Sequence, residues 1–104
     1  MAIKNKETKD FLEKFCEGPL KFGNLLNSLR LCDEVSQAEL ARKAGVSRGL
    51  ICDIEKGRRD ATIELAVKFA KIMGYPAEGF VSVLLQEQVR RAKLNFKVIV
   101  SKAA

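Results

Sequence analysis

The chain has 104 residues, 47% hydrophobic and 31% charged, with 19 basic and 13 acidic side chains and a formal net charge of +6. That is the size of one domain with one modest core, and the apolar content argues against a disordered chain. It holds no apolar run of the roughly 18 residues a membrane span needs. The opening "MAIKNKETKD" is too polar for a secretion signal, and the lack of histidine removes the commonest general base and metal ligand.

The thiols are Cys16, Cys32 and Cys52, odd in number and without a CxxC pair. That favours reduced cysteines in a cytoplasm over a disulfide framework, with Cys16 and Cys32 read as core fillers. The charge is uneven. Residues 1–34 carry 6 basic and 6 acidic groups, residues 35–74 carry 8 and 5, and residues 75–104 carry 5 and 2. The positive excess begins after residue 34, and a positive surface favours polyanions, nucleic acid before anionic lipid.

In chain order, "TKDFLEKFCEG" places Phe11, Leu12 and Phe15 on a short helix or arm, with Thr8 as cap and Gly18 as stop. Pro19 opens the next helix, in which Phe22, Leu25, Leu26 and Leu29 fall at helical spacing. Ser36 caps a further helix, with Glu39 completing an S-x-x-E capping box, and Gly45 ends it where positive φ is needed. Ser47 caps the next. Thr62 caps "IELAVKFAKIM", with Leu65, Ala66, Phe69 and Ile72 or Met73 inward and Gly74 as stop. Pro76 begins "PAEGFVSVLLQEQVRRAKL", with Phe80, Val83 and Leu84 inward.

The tail breaks this pattern. In "LNFKVIV", Leu94, Phe96, Val98 and Val100 alternate with Asn95, Lys97, Ile99 and Ser101, the period of a strand. A lone strand leaves its backbone unpaired. Its natural partner is the same segment of a second subunit, antiparallel about a two-fold axis. The rival readings are a continuation of the last helix, pairing with "AIK" near the N-terminus, and a disordered end. Three regions follow: residues 1–18 as arm or short helix, 19–93 as the helical domain, and 94–104 as strand or tail.

The stretch "SQAELARKAGVSRGLICDIEKGRRD" carries the chemistry. Its two helices are too short to stand alone. Leu40, Ala41, Ala44, Val46, Ile51 and Ile54 supply the surface that packs them, and Gly45 turns the chain in few residues, which is the physical content of a helix-turn-helix. On the second helix Arg48, Gly49, Cys52, Asp53 and Lys56 form one outward stripe. A helix end entering the major groove needs such side chains near its N-terminus. Arg48 can bond guanine bidentately, Asp53 can accept from cytosine, Leu50 can meet a thymine methyl, and Gly49 allows close approach. Gln37 can donate to a phosphate or brace a base-reading residue. Arg42, Lys43, Arg58 and Arg59 suit backbone phosphates.

These residues carry a resemblance. Arg30, then Ser36-Gln37 with Leu40-Ala41, Gly45-Val46-Ser47, and Ile51 with Ile54-Glu55 and Gly57 resemble the Cro/C1-type (XRE-like) helix-turn-helix family of phage repressors and bacterial regulators. The likeness extends through "TIELAVKFAKIMGY" and covers about residues 20–90. It implies an all-α, five-helix, lambda-repressor-like DNA-binding domain, and the pattern of the residues outside the likeness adds an N-terminal helix or arm and a C-terminal strand or tail for dimerisation. It implies sequence-specific binding of double-stranded DNA, usually as a homodimer. Ser47, Arg48, Gly49 and Asp53 then stand at or beside base-facing positions, and Arg30 pairs with Glu55 inside the domain. Gly49 and Asp53 depart from the family's more usual Gln, Ser, Thr, Lys or Arg.

Blander readings stand beside these. The helix pair can be a plain hairpin in an α bundle, and Arg48 and Asp53 solvated residues without a role. Cys52 reads as a redox switch or as a small filler, with the helix N-terminus and Arg48 nearby and no histidine in the chain to activate it. The function expected is a transcriptional regulator, a repressor on a palindromic operator. The alternative is an antitoxin- or antagonist-type module that binds a protein such as a toxin. No metal spacing, phosphate loop or acid/base pair marks an enzyme, no cofactor is expected, and no ligand-sensing domain follows the helices.

Overall fold

A computed structural model describes residues 20–103. Five helices run in order: α1 (Phe22–Cys32), α2 (Gln37–Ala44), α3 (Arg48–Glu55), α4 (Ile63–Met73) and α5 (Ala77–Arg91). The helix expected within residues 1–18, and Cys16 with it, lie outside the described residues. No helix among those described is long and apolar enough to cross a membrane.

The core is the sum of the inward stripes. Phe22, Leu25, Leu26 and Leu29 of α1, Leu40, Ala41 and Ala44 of α2, and Ile51 and Ile54 of α3 meet Ala66, Phe69, Ala70 and Met73 of α4 and Phe80 and Leu84 of α5. Phe22 meets Phe80 edge to face, with ring centroids 5.9 Å apart, an arrangement worth about 0.5–1.5 kcal/mol beyond the area buried. Val46, Leu65, Ile72 and Val83 are half-buried at its margin. Cys32 is exposed rather than a core filler. It is the last residue of α1, one turn beyond Leu29, where the inward stripe ends.

The caps are mostly those the sequence predicts. Ser36, Ser47 and Thr62 accept the backbone N–H of Glu39, Leu50 and Leu65 at 3.0, 3.1 and 3.1 Å, each relieving one orphan donor of a first turn. The capping box at Ser36 forms only in half, because the Glu39 carboxylate turns to Lys43 at 3.3 Å. Gly45 ends α2 at φ 72°, a conformation that side chains with a Cβ seldom adopt.

Helix α1 starts at Phe22, not at Pro19. Its N-cap, Lys21, makes no side-chain bond. The Phe22 N–H instead donates to Glu87 of α5 at 2.9 Å, and Arg90 of α5 donates to the Leu20 carbonyl. A tertiary contact thus sets the start that local sequence leaves open.

After α5 the chain turns at Lys93, at φ 59°. Residues 94–103 follow without helix, turn or bend, and no strand ladder forms among the described residues. The tail runs back along α5, tied at Gln86 and, at its far end, by Lys102 to Glu78 at 3.8 Å.

Candidate nucleic-acid interface

Helices α2 and α3 are held at one joint below their surface. Arg30, 8% exposed, reaches from α1 and gives Nε to Glu55 Oε2 at 2.7 Å and Nη2 to Oε1 at 3.0 Å. Two further donors go to the Val35 carbonyl at 2.8 Å and Asn27 Oδ1 at 3.1 Å. The hydrogen bond to Glu55 raises the guanidinium pKa above its ordinary value, against the opposing pull of burial. This bidentate, charge-assisted geometry is the strong form of such a pair. Gln37, at the first turn of α2, donates Nε2 to Glu55 Oε1 at 3.1 Å. One buried carboxylate therefore ties the end of α3 to α1 and to the start of α2.

Gly23 brings α1 onto the same joint. A Cβ there would overlap the carbonyl oxygen of Ile54 and sit 2.9 Å from that of Glu55. The carboxyl end of α3 lies directly on the α1 backbone, and glycine is what allows it.

The outward side of α3 is open. Ser47, Arg48, Gly49 and Lys56 are exposed, and Leu50, Cys52 and Asp53 are half-exposed. Gly49 has ordinary helical φ, and a Cβ on it would meet nothing nearer than Ser47 Oγ at 3.9 Å. No feature of the fold demands a glycine there. Asp53 does not stand alone. Arg58, from the loop after α3, places Nε 3.1 Å from Asp53 Oδ1 and Nη2 3.7 Å from Cys52 Sγ. The backbone N–H groups of Arg58 and Arg59 fold onto the Asp53 carbonyl at 2.8 and 3.3 Å.

Arg42 and Lys43 are exposed in the last turn of α2. Lys43 shares an exposed ion pair with Glu39, worth a few tenths of a kcal/mol. Lys68 of α4 donates to the Ala44 carbonyl at 3.2 Å and steadies the turn from the far side. Beside the α3–α4 loop, a cleft of about 470 Å3 opens toward α1 and α5, with Lys21, Lys56, Arg59 and Arg91 among its lining. Among the described residues no cluster of His, Cys, Asp and Glu is placed to hold a metal ion.

Sequence reasoning missed three of these features. Gly23 carries a signal, since a glycine inside a helical pattern is costly unless something packs closely on it. The Arg58–Asp53 link and the Glu87 cap depend on how the chain returns, and no local pattern marks them.

The helix-turn-helix family model matches residues 34–80. A protein of Methanocaldococcus jannaschii, named as an uncharacterized HTH-type transcriptional regulator, is 44% identical over 55 residues, which are 53% of this chain and 83% of that protein. The chain belongs to the Cro/C1-type helix-turn-helix family. Helices α2 and α3 with the turn at Gly45 are the helix-turn-helix itself, and α1, α4 and α5 are its scaffold. The residues placed on its surface lie within or beside the matched span. The 94–103 tail lies beyond it.

Proposed function

We propose that this chain is a sequence-specific DNA-binding transcriptional regulator of the cytoplasm, a repressor that meets a palindromic operator as a homodimer. The observation that carries the reading is the open N-terminal end of α3. Arg48 and Gly49 face outward there and Asp53 follows on the same side in the last turn, while Ile51 and Ile54 anchor the opposite side in the core. A helix held in this way can enter a major groove end-on, with base-reading groups leading. Gln37, braced by Glu55, stands at the first turn of the preceding helix. Arg42, Lys43, Lys56, Arg58 and Arg59 flank the stripe and suit phosphates. Arg58 also neutralises Asp53, which lowers the cost of bringing a carboxylate near the DNA backbone.

The homodimer reading rests on the tail. Leu94 and Phe96 are exposed while Val98 and Val100 are half-buried, so an apolar face is left uncovered in the single chain. Two reading helices about 34 Å apart would meet successive major grooves on one side of the duplex.

The experiment is selection of bound duplexes from a random pool, followed by titration of the preferred site at several salt concentrations. About eight phosphate contacts per dimer give a log–log slope near −7. Arg48→Ala is expected to cost about 1–3 kcal/mol on that site and relax one base position, whereas Arg59→Ala weakens all sequences alike. No enriched site and no salt-dependent binding would refute the reading and turn attention to a protein partner.

A further inference from the structure

The tail has two edges, and the structure treats them differently. Gln86 of α5 grips one of them with both ends of its side-chain amide. Nε2 donates to the Phe96 carbonyl at 2.8 Å, and Oε1 accepts from the Val98 N–H at 2.8 Å. A primary amide used in this way imitates one rung of a β-ladder. It also fixes the polarity of the segment. In an extended chain the N–H and C=O of one residue point to the same edge, and alternate residues share that edge. The even-numbered residues therefore turn their main chain to α5, and Asn95, Lys97, Ile99 and Ser101 turn theirs away. No hydrogen bond within the described residues reaches the main chain of Lys97 or Ile99. Phe96 is 63% exposed and Ile99 is 80% exposed along the same stretch.

We infer that the main-chain edge of Asn95, Lys97, Ile99 and Ser101 pairs with the same edge of a second copy, antiparallel about a two-fold axis at Val98, and that Gln86 is the residue that presents it. The inference rests on the homodimer reading and names the edge, the register and the positioning residue. A free ladder edge takes another strand, and a two-fold axis lets identical segments satisfy each other.

Charge disfavours one register, and apolar cover favours another. The tail carries Lys97 and Lys102 and no acid. An axis at Lys97 sets the two Lys97 side chains directly opposite each other, a destabilising pairing. An axis at Val98 sets Lys97 against Ile99 of the second copy, so the lysine's methylenes cover the most exposed apolar side chain of the tail. On the other face it sets Phe96 against Val100 and Val98 against Val98. The free-edge residues then form the hydrogen-bonded pairs, and Val98 falls at a non-hydrogen-bonded pair, where Cα atoms approach to about 4.5 Å.

The test uses the full chain. Its dimer dissociation constant is measured by sedimentation for the parent, Lys97→Ala and Lys97→Pro. The proline removes an N–H that nothing in the single chain uses, so the fold survives while two rungs of the ladder are lost. We expect at least a tenfold weakening of the dimer by Lys97→Pro and less than about threefold by Lys97→Ala. In a second arm Cys16, Cys32 and Cys52 are replaced by serine, and either Val98→Cys or Lys97→Cys is added before mild oxidation. The register predicts a covalent dimer for Val98→Cys, whose Cα separation lies within disulfide range, and little for Lys97→Cys, which lies outside it. A monomeric parent, a Lys97→Pro dimer as tight as the parent, or cross-linking through Lys97→Cys instead of Val98→Cys overturns the inference. A monomer that still binds a selected DNA half-site would do so while leaving the DNA-binding reading intact.

Discussion

The Gln37 amide donates to Glu55, with Nε2 3.1 Å from the same carboxylate oxygen that takes Arg30 Nη2 at 3.0 Å. The Glu55 side chain is 4% exposed, so it cannot swing to solvent if one donor is lost. A residue at the edge of the candidate interface therefore takes its orientation from the buried pair beneath it.

Breaking that pair should be costly. Arg30→Met or Glu55→Leu leaves the other charge buried and is expected to destabilise the fold by about 3–5 kcal/mol. The double substitution should cost less than the sum, because no unpaired charge remains. Denaturant melts of the four proteins measure the coupling. Strictly additive losses would mean that the two side chains act independently.

Gly23→Ala tests the joint from the other side. The added methyl would press on the carbonyls of Ile54 and Glu55, main-chain atoms that cannot rotate away. In the first turn of a helix, where Gly23 sits, alanine normally gains somewhat less over glycine than the mid-helix value of about 1 kcal/mol. Here the sign should reverse, to a loss of about 1–3 kcal/mol as α1 and α3 are forced apart. A melting temperature raised above the parent's would show that the joint has slack.

What the sequence made legible was local. Ser36, Ser47 and Thr62 cap their helices because a cap needs only its own next three residues, and Gly45 marks its turn by backbone geometry alone. The inward stripes follow from helical period, and the Arg30–Glu55 pairing came with the family pattern. What stayed hidden is decided by chain return. Glu87 caps a helix 65 residues earlier, and Arg58 finds Asp53 only because the loop folds back. The tail shows its period-two pattern plainly, but which edge α5 takes depends on Gln86, eight residues before the segment begins and on a helix of different period.

Tyr75 gives the fold a dependence on high pH. Its hydroxyl donates to Asp33 Oδ2 at 3.0 Å. Burial first, and then this bond, push the phenol pKa above its ordinary value of 10.0. The neutral form is favoured in the folded state, so its contribution is full below about pH 10 and is lost as pH rises toward the folded pKa. Tyr75→Phe should lower stability by about 1 kcal/mol at neutral pH and flatten the decline above pH 10. Melting curves of both proteins from pH 8 to 11 provide the check. A difference between them that stays constant with pH would remove the linkage.

Gly49 separates the demands of the fold from those of binding. It sits in the first turn of α3 with no positive φ and no crowding around the Cβ it lacks. A glycine in a helix is a net cost, and nothing inside the domain offsets it. Gly49→Ala should therefore raise stability by about 0.5 kcal/mol, less than the mid-helix value because the site is in the first turn. On the outward stripe the same methyl occupies the space between Arg48 and Asp53, where close approach to a base pair is expected. Affinity for the selected operator should then fall by about 1 kcal/mol or more, a change on the scale of one altered base contact. Affinity for random duplex, which rests on the flanking arginines and lysines, should stay within a factor of about two. The two measurements move in opposite directions only if the glycine is kept for the surface it leaves bare. A more stable variant with unchanged operator affinity would place the close contact elsewhere along α3.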